Sequence, residues 1–309
     1  METVLITGGT GLIGNKLSTF LVEKGYHVII LTRSASSQKD RKNISYAAWN
    51  PDAGEIDLKA IQATDFIIHL AGAPVMDKRW TNDYKNEIVE SRTKSSLLLA
   101  STLKKHPHHV QAIISSSAIG WYGPDKNDKH VFTEDDPAAP DFLGQTTLKW
   151  EQSIETAEEQ GVKVCKLRTG IVLADKGGAL EEFIKPLKLG VATILGNGEQ
   201  IISWIHIDDL CNMFHHAIIH KLSGSYNAVA PEPVSNKKLV LVLAKLMKNK
   251  FFIPIHVPTP VLKLMLGERS IEILKSATVG AQKISGTGFN FLYPEIEKAL
   301  TQIIKKADN

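Results

Sequence analysis

Three glycines, Gly8, Gly11 and Gly14, fall in the run Thr7-Gly8-Gly9-Thr10-Gly11-Leu12-Ile13-Gly14, directly after the apolar stretch Thr3-Val4-Leu5-Ile6. Glycines so placed between a strand and a helix permit a tight turn, close approach of the backbone to a pyrophosphate and close helix-to-strand contact. The backbone of Gly8, Thr10, Gly11, Leu12, Ile13 and Gly14, with the dipole of the helix that follows, would hold the anion. The spacing differs from GxGxxG by one residue. An ordinary glycine-rich turn is the alternative, and the flanking strand and helix patterns weigh against it.

The second apolar run, His27-Val28-Ile29-Ile30-Leu31, ends at Thr32-Arg33-Ser34. A site for NAD usually places an acidic side chain near this point for the ribose 2′-hydroxyl, whereas a cation beside hydroxyls suits a 2′-phosphate. Thr32, Arg33 and Ser34 therefore point to NADP. A solvated arginine at a strand end, with NAD as the ligand, is the competing reading.

The elements that must carry such a site are legible as a rhythm. Short apolar runs at 4–6, 27–31, 65–70 and 112–114 alternate with helical spacing at 12–23, 85–103 and 141–160, and a further strand is expected at 164–167. Strands apolar on both faces, separated by amphipathic helices, predict an α/β protein of the Rossmann type, a doubly wound parallel sheet with a smaller C-terminal substrate lobe. Residues 1–175 are expected to form the NADP-binding domain, with 200–230 returning to it. Residues 176–309 are expected to build mainly the smaller lobe, because Gly177, Gly178, Gly190, Gly196, Gly198, Pro231, Pro233, Pro254, Pro258 and Pro260 punctuate that part more densely.

Composition narrows the function class. A net charge of +3 spread along 309 residues argues against a nucleic-acid partner, and the basic stretch 104–109 reads as a solvated helix end. Cys165 and Cys211 stand in apolar contexts without a CxxC, so they read as reduced core residues, and no metal is expected. Neither a signal peptide nor a run of about 20 apolar residues is seen, so no membrane partner and a cytoplasmic location are expected.

Taken in order, the glycine run, His69-Leu70-Ala71-Gly72, Ser115-Ser116-Ser117 and Trp204-Ile205-His206-Ile207-Asp208-Asp209-Leu210 resemble the extended short-chain dehydrogenase/reductase superfamily. More narrowly, Lys78-Arg79-Trp80-Thr81, Glu90-Ser91-Arg92, Trp150-Glu151, Gly177-Gly178-Ala179-Leu180, Gly286-Thr287-Gly288-Phe289-Asn290-Phe291 and Tyr293-Pro294 resemble its atypical epimerase-like proteins of unsettled substrate, often labelled nucleoside-diphosphate-sugar epimerases. The likeness spans essentially the whole chain. It implies that Leu70, Ala71 and Gly72 line the adenosine side of the cofactor, that Ser115 lies at the site, and that Glu87 and Arg92 reach the cofactor, with surface salt-bridging as their alternative. Arg168 would meet the cofactor or a substrate anion, or else form a buried ion pair. A homodimer through a helix pair is common in the superfamily, although none of these residues requires one.

In that superfamily a Ser polarises the substrate oxygen, a Tyr transfers the proton, and a Lys four residues later lowers the Tyr pKa. Ser117 fits the first role. Aligning Trp150-Glu151 with the end of the catalytic helix puts Leu143 at the Tyr position and Thr147 at the Lys position, and Lys149 faces another side of the helix. Tyr122 is a candidate replacement acid, set against a place in the pocket wall, the commoner role for an aromatic so placed. His206 is a further candidate as a residue type that titrates near neutrality, but it stands at a strand-to-helix junction where Asp208 or Asp209 is expected to cap the helix. Trp80, Trp121 and Trp204 are pocket or core residues. The expected function is an NADP-dependent oxidoreductase or epimerase-like enzyme on a small-molecule carbonyl or hydroxyl substrate. The alternative is a non-catalytic NADP-binding sensor or scaffold.

Overall fold

A computed structural model of the chain describes residues 1–126, 130–247 and 251–307. Its first half alternates strand and helix: β1 (Thr3–Thr7), α1 (Leu12–Glu23), β2 (His27–Thr32), β3 (Ile44–Asn50), β4 (Glu55–Ile56), α2 (Leu58–Gln62), β5 (Phe66–His69), α3 (Asn82–Lys105), β6 (Ala112–Ala118) and α4 (Phe142–Glu155). There follow β7 (Lys163–Thr169), β8 (Ile171–Leu173), α5 (Gly178–Leu187), β9 (Val191–Leu195), β10 (Ile201–Ile202), β11 (Trp204–His206), α6 (Ile207–Ile219) and β12 (Gly224–Ala228). The remainder is β13 (Val234–Ser235), α7 (Asn236–Leu246), β14 (Ile253–Val257), α8 (Thr259–Leu266), α9 (Ser270–Leu274), α10 (Gln282–Ser285) and α11 (Ile296–Ala307).

Eight strands form one sheet in the order β12-β7-β6-β5-β1-β2-β3-β4. Every pairing is parallel except β3 with β4. The interior strands read as unbroken apolar runs because helices cover both faces. One face packs Val4, Ile6, Val28 and Ile114 against Leu17 and Leu21 of α1 and Leu210 and Phe214 of α6. The other packs Leu5, Ile29, Ile67 and Ile113 against Leu99 and Leu103 of α3 and Ile154 of α4. Cys165 and Cys211 lie in the first of these cores as free thiols, and burial pushes both up to about 12.

A third core joins Leu180 and Leu187 of α5, Ile194, Trp204, Leu239 and Leu243 of α7, and Leu300 and Ile303 of α11. The chain order reverses between β1 and β5, where successive crossovers leave the sheet to opposite sides. Ligands of open α/β sheets bind outside the carboxyl ends of the strands at such a point.

Candidate cofactor and substrate site

The loop between β1 and α1 is built for close approach. Gly8 has φ +68°, and a Cβ there would lie 2.9 Å from the Leu70 carbonyl carbon and oxygen. A Cβ on Gly14 would collide with the Gly8 carbonyl oxygen, and one on Gly9 would meet Ile30 Cγ2 at 2.7 Å. Gly11 precedes α1 with no side-chain cap, and no acidic residue stands in the first turn, so the leading N–H groups of the helix lack a side-chain partner. Thr10, Gly11 and Leu12 are exposed, and Ile13 is half-buried. Asn15 Nδ2 fixes the loop by donating to the Thr10 carbonyl at 2.7 Å. These features fit a bound diphosphate.

Thr7 links this loop to the next. Its hydroxyl oxygen accepts from the Leu70 and Ala71 N–H groups at 3.1 and 3.2 Å and lies 2.7 Å from His69 Nδ1. With its lone pairs engaged, the Thr7 hydroxyl donates to Nδ1, which leaves the His69 proton on Nε2, 3.1 Å from Ser96 Oγ. Burial, reinforced by Arg92, pulls His69 down to about 3. Arg92 lies beneath Gly72 and donates to the carbonyls of Ala73 and Ile88 at 3.0 and 2.9 Å. It thus supports the loop that carries Leu70, Ala71 and Gly72, and burial lowers its pKa to about 10. Glu87 is exposed and pairs with Lys78 at 3.2 Å, which is its surface alternative.

At the carboxyl end of β2, Arg33 and Ser34 are exposed, while Thr32 turns back to accept from the Ser34 N–H at 3.4 Å. Leu143 and Thr147 share one stripe of α4 and face Gly120: a Cβ there would lie 3.3 Å from Leu143 Cβ and 3.7 Å from Thr147 Oγ1. The Thr147 hydroxyl donates back to the Leu143 carbonyl at 2.8 Å. Lys149 is exposed on another side of the helix.

The hydroxyls expected beside this stripe are drawn into a buried network. Ser117 Oγ donates to Glu151 Oε1 at 2.6 Å, and Arg168 grips the same carboxylate through Nε and Nη2 at 2.9 and 3.0 Å. Ser225 Oγ adds a donor to Oε2 at 3.2 Å. Arg168 Nη1 donates to the Tyr122 hydroxyl at 3.1 Å, and that hydroxyl donates to Asn227 Oδ1 at 2.6 Å. The guanidinium also stacks 3.7 Å over the Trp121 ring.

Arg168 is therefore held in the buried ion pair; burial pulls its pKa down, but the bonds and charge of Glu151 outweigh that and raise it. Tyr122 is not presented to a cleft: it is 0 % exposed, and burial pushes its phenol up to about 12. Ser117 is 2 % exposed, and Ser115, 1 % exposed, donates to the Ser116 carbonyl.

The capping expectation for α6 is corrected as well. His206 is the cap, accepting from the Asp208 N–H at 3.1 Å. Asp208 pairs with Lys16 at 2.8 Å, and buried Asp209 accepts from the N–H groups of Leu292 and Tyr293 at 2.7 and 2.9 Å. Trp204 is wholly buried, whereas Trp80 and Trp121 are half-buried.

Thr7, His69 and Glu151 had been given no role from the sequence. Their signal was weak but present: polar residues at inward positions of otherwise apolar elements.

The segment 267–278 is tied to α3 and to the loops that follow β5 and β6. Arg269 donates to the Met76 carbonyl, and Glu268 pairs with Lys85 at 2.5 Å. Lys275 donates to the Tyr122 carbonyl at 3.2 Å, and Asp125 accepts from Ser276 and Thr278. Among the described residues no cluster of metal-ligating side chains occurs, and no helix is long and apolar enough to cross a membrane.

The chain is similar to known proteins over nearly its whole length. The family model for the NAD dependent epimerase/dehydratase family matches residues 4–229, and one described as a domain of unknown function (DUF1731) matches residues 257–303. An epimerase family protein of Staphylococcus aureus (strain NCTC 8325) is 34% identical over 99% of this chain and 100% of its own length. The epimerase family protein YfhF of Bacillus subtilis (strain 168) is 33% identical over 97% of each chain. The crystal structure of human epimerase family protein SDR39U1 (isoform 2) with NADPH superposes with a TM-score of 0.84 and 28% identity over 99% of both chains. On the match across its nucleotide-binding sheet and on full-length relatives of this kind, the chain belongs to the NAD dependent epimerase/dehydratase family.

Proposed function

We propose that the chain binds NADP at the head of α1 and is an NADP-dependent oxidoreductase or epimerase-like enzyme. Its substrate is a small molecule bearing a carbonyl or hydroxyl group, with sugar nucleotides as the class the family suggests. The observation that carries this reading is the glycine cradle, in which Gly8, Gly9 and Gly14 leave no room for a Cβ and the start of α1 has no side-chain cap. The preference for NADP rests on exposed Arg33 beside Ser34, with no acidic side chain between residues 32 and 39, and on the NADPH held by the human relative.

When bound, the nicotinamide supplies hydride exchange. The chain holds the diphosphate with backbone N–H groups, receives the 2′-phosphate with Arg33, and orients the adenosine ribose along 70–72 through the Thr7 and Arg92 tethers. A second reading, a cofactor-binding sensor without turnover, draws on Leu143, Thr147 and the committed hydroxyls of Ser117 and Tyr122.

Isothermal titration with NADPH and NADH on the wild type and Arg33→Ala tests the binding. Tighter NADPH binding that the variant loses supports NADP, and an unchanged ratio removes Arg33 from the argument. Cofactor oxidation by a carbonyl panel then separates enzyme from sensor.

A further inference from the structure

The segment 267–278 brings Lys275, with Glu272 paired to it, to the start of α4, two residues before Leu143, the position the resemblance gives to the catalytic phenol. Lys275 and Glu272 pair at 2.7 Å with side chains only 7% and 15% exposed, and Lys275 Nζ also lies 3.9 Å from Asp141 Oδ2. Asp141 caps α4, and Leu143 stands on the turn that follows. The Lys275 bond to the Tyr122 carbonyl reaches the loop after β6, where Gly120 faces Leu143. Lys275 thus bridges the start of α4 and the loop after β6, on the carboxyl side of the strands where ligands of such sheets bind, and holds Glu272 beside them.

We propose that Glu272 is the proton-transfer group of this site and that Lys275 and Asp141 position it. This rests on the cofactor reading above. In carbonyl reduction two electrons and a hydrogen pass as hydride from NADPH to the carbonyl carbon. The carbon–oxygen π bond breaks, and its oxygen takes the proton of the Glu272 carboxyl. Alcohol and NADP⁺ result, and water reprotonates the carboxylate. Burial raises the Glu272 pKa, Lys275 draws it down by charge and hydrogen bond, and Asp141 raises it, with a net rise that favours a carboxyl able to donate.

Protein carrying carbon-13-labelled glutamate is expected to show one carboxyl that titrates above the ordinary glutamate range and is missing in Glu272→Gln. With NADPH and para-nitrobenzaldehyde or phenanthrenequinone as carbonyl probes, Glu272→Gln is expected to lower kcat roughly a hundredfold. NADPH affinity should stay at its wild-type value while Tm falls because Lys275 is left without its partner, and Glu272→Asp should recover part of the rate. Wild-type kcat should fall as pH rises through the Glu272 pKa, a limb the Gln variant lacks and Lys275→Gln moves upward. Wild-type kcat and pH profile in Glu272→Gln overturn the proposal, as does wild-type protein that binds NADPH and reduces neither probe. Failure of the wild type to bind NADPH at all overturns the cofactor reading with it.

Discussion

Ser117, Glu151, Arg168, Tyr122 and Asn227 show what becomes of catalytic residue types when their neighbours change. A buried carboxylate and guanidinium that satisfy each other, and whose spare lone pairs and protons go to Ser117, Ser225 and Tyr122, form a closed network. Removing one partner leaves an uncompensated buried charge. Arg168→Met should cost about 3–5 kcal/mol in denaturant unfolding, and Glu151→Leu with Arg168→Met should recover much of that. His69 gives the pH dependence at this scale. Its folded pKa of about 3 lies below the ordinary histidine value of 6.5, so the unfolded chain takes up the proton first as pH falls. The stabilising contribution is complete above pH 6.5 and is lost on the way down toward pH 3. The slope should be about 1.4 kcal/mol per pH unit. Unfolding midpoints across that range, compared between wild type and His69→Gln, check it, since the variant should lose the slope.

The unit β1, loop, α1 and β2 was the most legible element group, because interior parallel strands must be apolar on both faces and the glycines between them answer one steric demand. That demand yields a prediction. Gly14→Ala puts a methyl against the Gly8 carbonyl, so NADPH binding should be abolished in titration calorimetry and Tm should fall by several degrees. Strand β12 was not read from the sequence, and the reason is physical. Its Ser225 and Asn227 are polar because they serve the Glu151 and Tyr122 network, so the strand lacks the apolar run that marks the others. The caps of α6 were misread for a similar cause. Aspartates that suit a helix start were engaged elsewhere, Asp208 by Lys16 and Asp209 by the chain at 292–293, leaving His206 to cap. The placement of the Glu272–Lys275 pair, itself a local i,i+3 contact, was not legible, since nothing local ties residues 272–275 to the start of α4.

For the whole molecule, cofactor binding and stability are linked. NADPH at one hundred times its Kd should stabilise the protein by about 2.7 kcal/mol. A thermal scan should therefore show a larger upward shift with NADPH than with NADH at equal concentration, and Arg33→Ala should bring the two shifts together. Equal shifts in the wild type would count against the NADP preference.

The position of β12 also sets a timetable for synthesis. It lies beside β7 in the sheet, yet its residues are made only after 170–223 have been translated. At ~5–20 residues per second this interval is roughly three to ten seconds, during which β7 presents an open edge of unpaired backbone. Arg168 lies on β7 and waits through the same interval for Ser225 and Asn227 to complete its surroundings. Until then the β7 edge is a place where another copy can misjoin, and a ribosome stalled before residue 224 would hold the chain in that state.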